Sequence, residues 1–389
     1  MSPHFRPLAV VLAAAAVATV VLEPASASTA HVPGYTTNCP GATSLVVGTR
    51  WTTHRLAPGV VLREGHHRGR RGFVRMHVLT VDVTNRHLAF RPLLGALTSR
   101  HRLTSYGSQR RLVAATNAGY FDLDTFAPVG PVVIGSSPVV TTPAITPVVG
   151  FARNGLMQGG HVASEGEVVA RSGERSLAGL NTSRPGFGIT AYSPRWGRGR
   201  VALYRGLASR YVRRGYVASR SGRFTHAPRS GYLLVARGPR AVHWLRELRR
   251  GARVRVHVGM RSDAARPFRL AYAVGGRIVQ NGKGLTGLTC PAGYPQPARV
   301  AVGFADGGRR LILVAVDDNV RTRLHGLDSV QLGRVMSDLG ASDAWLFDGG
   351  GSTTMVTRMR PRARQLSLRT STRERGVRAV PLGFGIFRR

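Results

Sequence analysis

The chain has 389 residues, 43% of them apolar, and a formal net charge of +38; it is long enough for one large domain or two ordinary ones and too apolar to be generally disordered. Of its 56 basic residues only Lys283 is a lysine, and the arginines are scattered with no aromatic-interleaved basic run, zinc spacing or DNA-reading motif. The charge therefore predicts unspecific attraction to anionic polymers and argues against specific nucleic-acid recognition.

At the N-terminus, Arg6, an apolar run over 8–22 and Ala25-Ser26-Ala27 form the three-part pattern of a cleaved secretory signal, residues 1–27. The run is short for a membrane span, and no later stretch reaches the roughly 18 uninterrupted apolar residues a spanning helix needs. The mature chain is expected to be soluble, secreted and extracellular; a retained signal anchor is the other reading. Residues 28–44 read as an extended lead-in. Cys39 and Cys290 are the only cysteines, and an even count in an exported chain points to one disulfide tying the lead-in to the C-terminal half.

From residue 44 onward the pattern is strand-like. Residues 72–83 and 112–116 read as strands, and the second runs into Asn117-Ala118-Gly119-Tyr120-Phe121-Asp122, where an Asn and a Gly mark a sharp turn. Residues 126–147, rich in Val, Pro and Gly, read as loops with short strands, forming one wall of a cleft. In the middle region, 231–236 and 253–258 read as strands and 243–250 as a helix, with the arginines near Arg213, Arg249 and Arg250 on solvated faces.

The last 120 residues are better organised. Segments 271–274 and 277–280 flank Gly275-Gly276, and 300–304 and 311–316 flank Asp306-Gly307-Gly308, so two hairpins are expected. Asp328 with Gln331 resembles a capping box, Leu327, Val330, Val335, Met336 and Leu339 recur at near-helical spacing, and Gly340 supplies the stop. Residues 344–347 follow as a buried strand. The expected fold class is α+β, with mixed, mostly antiparallel sheets and few helices around one glycine-rich cleft.

Asp348 closes that last strand. A carboxylate there sits at a rim, partly desolvated and aimed outward. Gly349, Gly350 and Gly351 remove side-chain bulk, so their N–H groups can converge on an anion, while Ser352, Thr353 and Thr354 add hydroxyls. The plainer alternative is a glycine turn with solvated neighbours, and the Lys of a nucleotide-binding phosphate loop is missing. Ser352 as a nucleophile lacks both the elbow pattern and a recognisable His partner.

The order of motifs narrows these alternatives. Asn117-Ala118-Gly119-Tyr120-Phe121, Ala273-Val274-Gly275-Gly276 with Asn281-Gly282-Lys283, Ala298-Arg299-Val300-Ala301-Val302-Gly303 and Leu346-Phe347-Asp348-Gly349-Gly350-Gly351-Ser352-Thr353 together resemble the phosphodiester glycosidase family. The resemblance spans residues 45–389 as one domain and is weakest over 201–268, where it implies an insertion. It implies hydrolysis of the bond between a sugar's anomeric carbon and a phosphodiester, a reaction that needs a carboxylate, cationic or N–H donors for the phosphate and a sugar pocket.

By that resemblance Asp348, Asp317 and Asn117 are the candidate catalytic residues. Arg299, Gly349, Gly350, Gly351, Ser352, Thr353, Gly119, Gly275 and Gly276 are candidates for substrate binding, and Asp306 reads as structural. Ala118, Tyr120 and Asp318 depart from the family pattern and leave the sugar open. The two aspartates either share a divalent cation or divide acid and base roles; no His or Cys cluster has metal-ligand spacing, and His66-His67 reads as a surface loop pair. The expected partner is a sugar phosphodiester or an anionic cell-wall glycan. The competing reading is a non-catalytic cell-wall or polysaccharide-binding protein.

Overall fold

A computed structural model describes residues 35–36, 44–69, 72–219, 224–288, 290–291, 296–373 and 376–389. The signal segment, most of the lead-in and the expected Cys39–Cys290 bridge lie outside the described residues. The backbone of the lead-in is nevertheless placed at one point, where Thr36 pairs with Cys290 and Tyr35 with Pro291 in a two-stranded ladder.

The α+β expectation is corrected: the protein is mostly β, 47% strand against 11% helix. The residues 34–389 form one compact unit made of several sheets. Short apolar runs broken by Gly and Pro favour strands, and only two α-helices occur among the described residues, α1 over Pro239–Glu247 and α2 over Ser329–Asp338.

An eight-stranded sheet carries the long strands, in the order Arg50–Ala57, Val60–Gly69, Gly72–Asp82, Arg310–Val316, Arg299–Ala305, Asp343–Leu346, Arg277–Gln280 and Lys283–Gly284. Its central strand Arg310–Val316 is buried at every position after Arg310, because both faces are covered. Ile312, Val314 and Val316 face Leu332, Val335 and Met336 of α2. Leu311, Leu313 and Ala315 join the main core with Val113, Phe384 and Ile386 of a five-stranded sheet. Period-2 alternation thus distributes one strand between two cores.

The expected helix is α2, and its capping box is present: Gln331 N donates to Asp328 Oδ1 at 2.8 Å, and Asp328 N donates to Gln331 Oε1 at 3.2 Å. Gly340 follows at φ +82°, a left-handed stop that a side chain would strain. Inside the helix, a Cβ on Gly333 would fall 2.5 Å from the Ile278 carbonyl oxygen, so the glycine permits the helix to lie directly on the sheet. The other helix expectation lands on α1, which begins at Pro239, earlier than the sequence suggested, because proline suits a first turn.

The hairpin around Asp306-Gly307-Gly308 forms as expected, from Arg299↔Val316 to Ala305↔Arg310. The one at Gly275-Gly276 does not. Phe268–Ala273 joins a six-stranded sheet, whereas Arg277–Gln280 joins the eight-stranded one, so the two glycines form a crossover between sheets. The pair His66-His67 is likewise on the strand Val60–Gly69, not in a loop. The middle region builds a seven-stranded sheet from Gly166 to His257 with α1 packed on it, and Arg213, Arg249 and Arg250 are exposed. No helix among the described residues is long and apolar enough to cross a membrane.

Candidate active site

The four sequence motifs meet at the end of the strand Asp343–Leu346. Phe347 is buried and packs its ring edge-on against Tyr272, which anchors the strand end in the main core. Asp348 then emerges half-buried. Its backbone N–H donates to the Ala118 carbonyl at 3.1 Å. The crossover glycines close the other side: Gly275 N donates to Leu346 O at 2.8 Å and Leu346 N to Gly276 O at 3.1 Å. A Cβ on Gly275 would fall 2.7 Å from Tyr120 Oη, and one on Gly119 2.7 Å from the Ala273 carbonyl oxygen. The glycines are therefore required by close approach, and they bring the motifs together without contributing side-chain chemistry.

Asn117 is fully buried at the end of the strand Leu112–Asn117. Its Nδ2 donates to the Asp348 carbonyl at 2.7 Å, and its Oδ1 accepts from Thr354 N at 2.9 Å. The amide thus spans the whole acidic loop and uses both of its polar atoms on backbone, which makes it a positioning residue. Its side chain holds Asp348 in place.

The loop itself is a 3₁₀ turn over Gly350–Ser352. Gly350 N donates to Ala298 O, Ser352 N to Gly349 O and Thr353 N to Gly350 O. With Thr354 N held by Asn117, these four N–H groups have partners within the protein, and Gly351 lines the cleft beside the loop. Gly349 fits against Ala298, whose carbonyl oxygen would lie 2.9 Å from an added Cβ.

Burial pushes the Asp348 carboxyl above its ordinary range, opposed by hydrogen bonds from the Ser352 hydroxyl and Gly349 N–H and by the Arg378 charge. Arg378 Nη1 also reaches Ser352 Oγ at 3.4 Å. Arg378 is thus the cation nearest in effect to Asp348, and sequence reading missed it because one arginine among so many carries no local signal. Arg299, the expected cation, runs its stem beside Gly349 and donates through Nε to Leu327 O at 3.4 Å; its charge acts on Asp328.

Against this loop lies a cleft of about 290 Å³ lined by Asn319, Arg321, Thr353, Thr370, Ser371 and Arg373 among others. Thr353 Oγ1 is buried and has no hydrogen-bond partner among the described residues, an unmet polar atom at the cleft wall that a ligand hydroxyl or phosphate oxygen would satisfy. Ser352 lies behind Gly351 and Thr353 and connects the cleft wall to Asp348.

Asp317 takes a different place. It is buried at the end of the strand Arg310–Val316, paired with Arg75, 3.3 Å from His77 Nε2, and accepts Ser371 N at 2.9 Å. His77 Nδ1 meets Glu64 Oε1 at 2.9 Å, and Glu64 is held by both Nη2 contacts of Arg369, at 2.9 and 2.7 Å. Burial alone would push His77 down, but its hydrogen bonds to Asp317 and Glu64 outweigh that and hold it up. Arg373 pairs with Asp318 at 2.8 Å. The cleft wall 369–373 is thus pinned by three core acids, and Asp317 anchors it from below. Asp317 and Asp348 are held by separate partner sets. Among the described residues no group of three or more His, Cys, Asp and Glu is placed to hold a metal ion. Asp306 pairs with Arg310 at 2.8 Å in its turn, a structural contact.

Residues 208–387 match the family model described as phosphodiester glycosidase, so the resemblance carried by the motifs is shown over the segment that holds Arg299, Asp317, the 348–354 loop and Arg378. The match includes most of the region read as an insertion and leaves Asn117 outside. Among solved structures, a hypothetical protein from Synechocystis superposes with a TM-score of 0.70 at 20% identity, over 87% of this chain and 64% of that one. This chain therefore spans less than two thirds of that protein's length. A Burkholderia pseudomallei protein described as exported gives a TM-score of 0.65 at 19% identity, over 81% and 74%. These two likenesses show the fold. The zebrafish N-acetylglucosamine-1-phosphodiester α-N-acetylglucosaminidase catalytic domain is matched at 15% identity over 88% of each chain with a TM-score of 0.46, too slight to bear on the site. No curated protein matches the chain.

Proposed function

We propose that the protein is a secreted hydrolase that cleaves the bond between a sugar's anomeric carbon and a phosphodiester in cell-wall or extracellular glycan phosphates. The observation that carries this reading is Asp348, fixed by Asn117 and coupled through Ser352 to Arg378, on the loop whose following residues Gly351, Thr353 and Thr354 line a cleft that also carries Arg321 and Arg373, inside the segment matched to the phosphodiester glycosidase model.

The division of labour follows from the leaving group. Cleavage at the anomeric carbon releases a phosphomonoester whose second ionisation lies at about 6, so the departing oxygen needs cationic stabilisation more than it needs a proton. Arg321, Arg373 and Arg378 supply positive charge. Asp348 then serves best as the base that activates water, and burial makes it a stronger base than a solvated carboxylate. Asn319, Thr353 and Ser371 offer the hydroxyls and amide that hold the sugar.

The test is release of reducing sugar and phosphomonoester from a sugar-1-phosphodiester. The competing glycan-binding reading predicts retention of the same compound without release, and that outcome would replace the hydrolase proposal.

A further inference from the structure

Phe187 leaves 72% of its surface exposed. It is not loose. The Arg237 guanidinium lies 4.3 Å from the Phe187 ring centroid and 5.2 Å from that of Tyr204, itself 39% exposed. Arg237 Nη1 and Tyr204 Oη both donate to the Pro185 carbonyl, at 3.3 and 3.4 Å. Two rings and one cation are thus fixed in advance, which removes much of the ordering cost of binding.

This platform continues toward the site. Arg184, just before Pro185, pairs with Asp122 at 3.3 Å and Asp124 at 3.1 Å, which flank Leu123, 67% exposed. A Cβ on Gly186 would fall 3.6 Å from Pro143, two residues before Ile145, 65% exposed. The loop carrying Leu123 begins directly after Tyr120, the residue packed on Gly275 beside Asp348.

We infer that Phe187, Tyr204 and Arg237 form a secondary subsite for a sugar-phosphate polymer, with sugar faces stacked on the rings and backbone phosphates drawn to Arg237. A purely apolar partner would leave the guanidinium unmatched, and a neutral glycan would leave its charge unused. A chain alternating sugar rings with phosphates satisfies both, and the +38 net charge complements a polyanion. The inference rests on the phosphodiester glycosidase reading and extends it from a small diester to a polymer.

The experiment measures affinity for phosphomannan, a mannan bearing sugar-1-phosphodiester links, by affinity electrophoresis with the Asp348→Asn protein as background, so that binding is read whether or not the site hydrolyses. Turnover of a small methyl diester is measured separately in otherwise wild-type protein. Phe187→Ala should weaken phosphomannan binding about five- to tenfold and leave small-diester turnover unchanged, while Phe187→Trp should keep the affinity. Arg237→Gln should weaken binding and flatten its salt dependence. Wild-type-like phosphomannan affinity in Phe187→Ala, or equal losses in Phe187→Ala and Phe187→Trp, would overturn the subsite. Absence of small-diester turnover with Phe187-dependent binding would overturn only the hydrolase reading.

Discussion

Asn117 Nδ2 lies 2.7 Å from the carbonyl oxygen of Asp348, 231 positions further along the chain, and no water or ligand is needed to explain its orientation. The same amide receives Thr354 N, so one side chain fixes both ends of the acidic loop.

Asn117→Ala should therefore leave two backbone groups unpaired and cost about 2–6 kcal/mol of stability, at roughly 1–3 kcal/mol per unmet group, read as a lowered Tm. Asn117→Asp keeps the acceptor for Thr354 N but sets a buried carboxylate oxygen against the Asp348 carbonyl, so it should cost at least as much. A wild-type Tm for Asn117→Ala would show that the loop does not depend on this clamp.

The network below the cleft gives a pH prediction. Hydrogen bonding to His77, then to Arg369, lowers the Glu64 carboxyl from its ordinary 4.5 to about 2 against the opposing effect of burial. A depressed carboxylate contributes stability that is complete above the unfolded value and lost as pH falls through the folded one. Wild-type stability should thus decline between about pH 4.5 and 2. Glu64→Gln should be destabilised at neutral pH by about 3 kcal/mol, because His77 and Arg369 lose a buried partner, and should show a flatter decline in that window. Chemical denaturation across pH reads both, and parallel curves would contradict the account.

Much of this was legible in the sequence, and the misses have physical causes. The Asp328–Gln331 capping box and the Asp306 hairpin are local signals, complete within a few residues, and both formed as read. Gly275-Gly276 looks the same locally as a hairpin turn, yet the strands it joins pair with different partners, and no short-range pattern encodes that choice. The excess of strand over helix was similarly hidden, since 166–257 pairs through contacts far apart in sequence. Asp348 and its glycines are contiguous and Asn117 stands in a motif of its own, so the sequence can name them as candidates. It cannot name Arg378, since its partnership with Ser352 arises only in the fold.

That difference separates two arginines. Arg378→Ala should lower kcat/KM for a sugar-1-phosphodiester about tenfold to a hundredfold, through lost charge stabilisation of the leaving phosphate. Arg299→Ala, whose guanidinium donates to Leu327 O, should lower it less. Steady-state kinetics on both folded variants decides, and a larger loss in Arg299→Ala would return the phosphate-binding role to Arg299.

Thr36 pairs with Cys290, and the even cysteine count of a chain read as exported leads us to propose a Cys39–Cys290 disulfide. Thiol labelling of denatured, unreduced protein should find no free thiol. Two labelled cysteines per chain would remove the bridge, and with it the roughly 2–4 kcal/mol a long-range disulfide contributes.

The most direct measurement is turnover of a sugar-1-phosphodiester by wild type and by Asp348→Asn, with folding of both checked by Tm. Wild type should release sugar and phosphomonoester, with a rate that falls as pH drops below an Asp348 ionisation lying above the usual aspartate range. Asp348→Asn keeps the shape of the side chain without its basicity, so its rate should fall by about a hundredfold or more at an unchanged or higher Tm. Full turnover by folded Asp348→Asn would contradict the account.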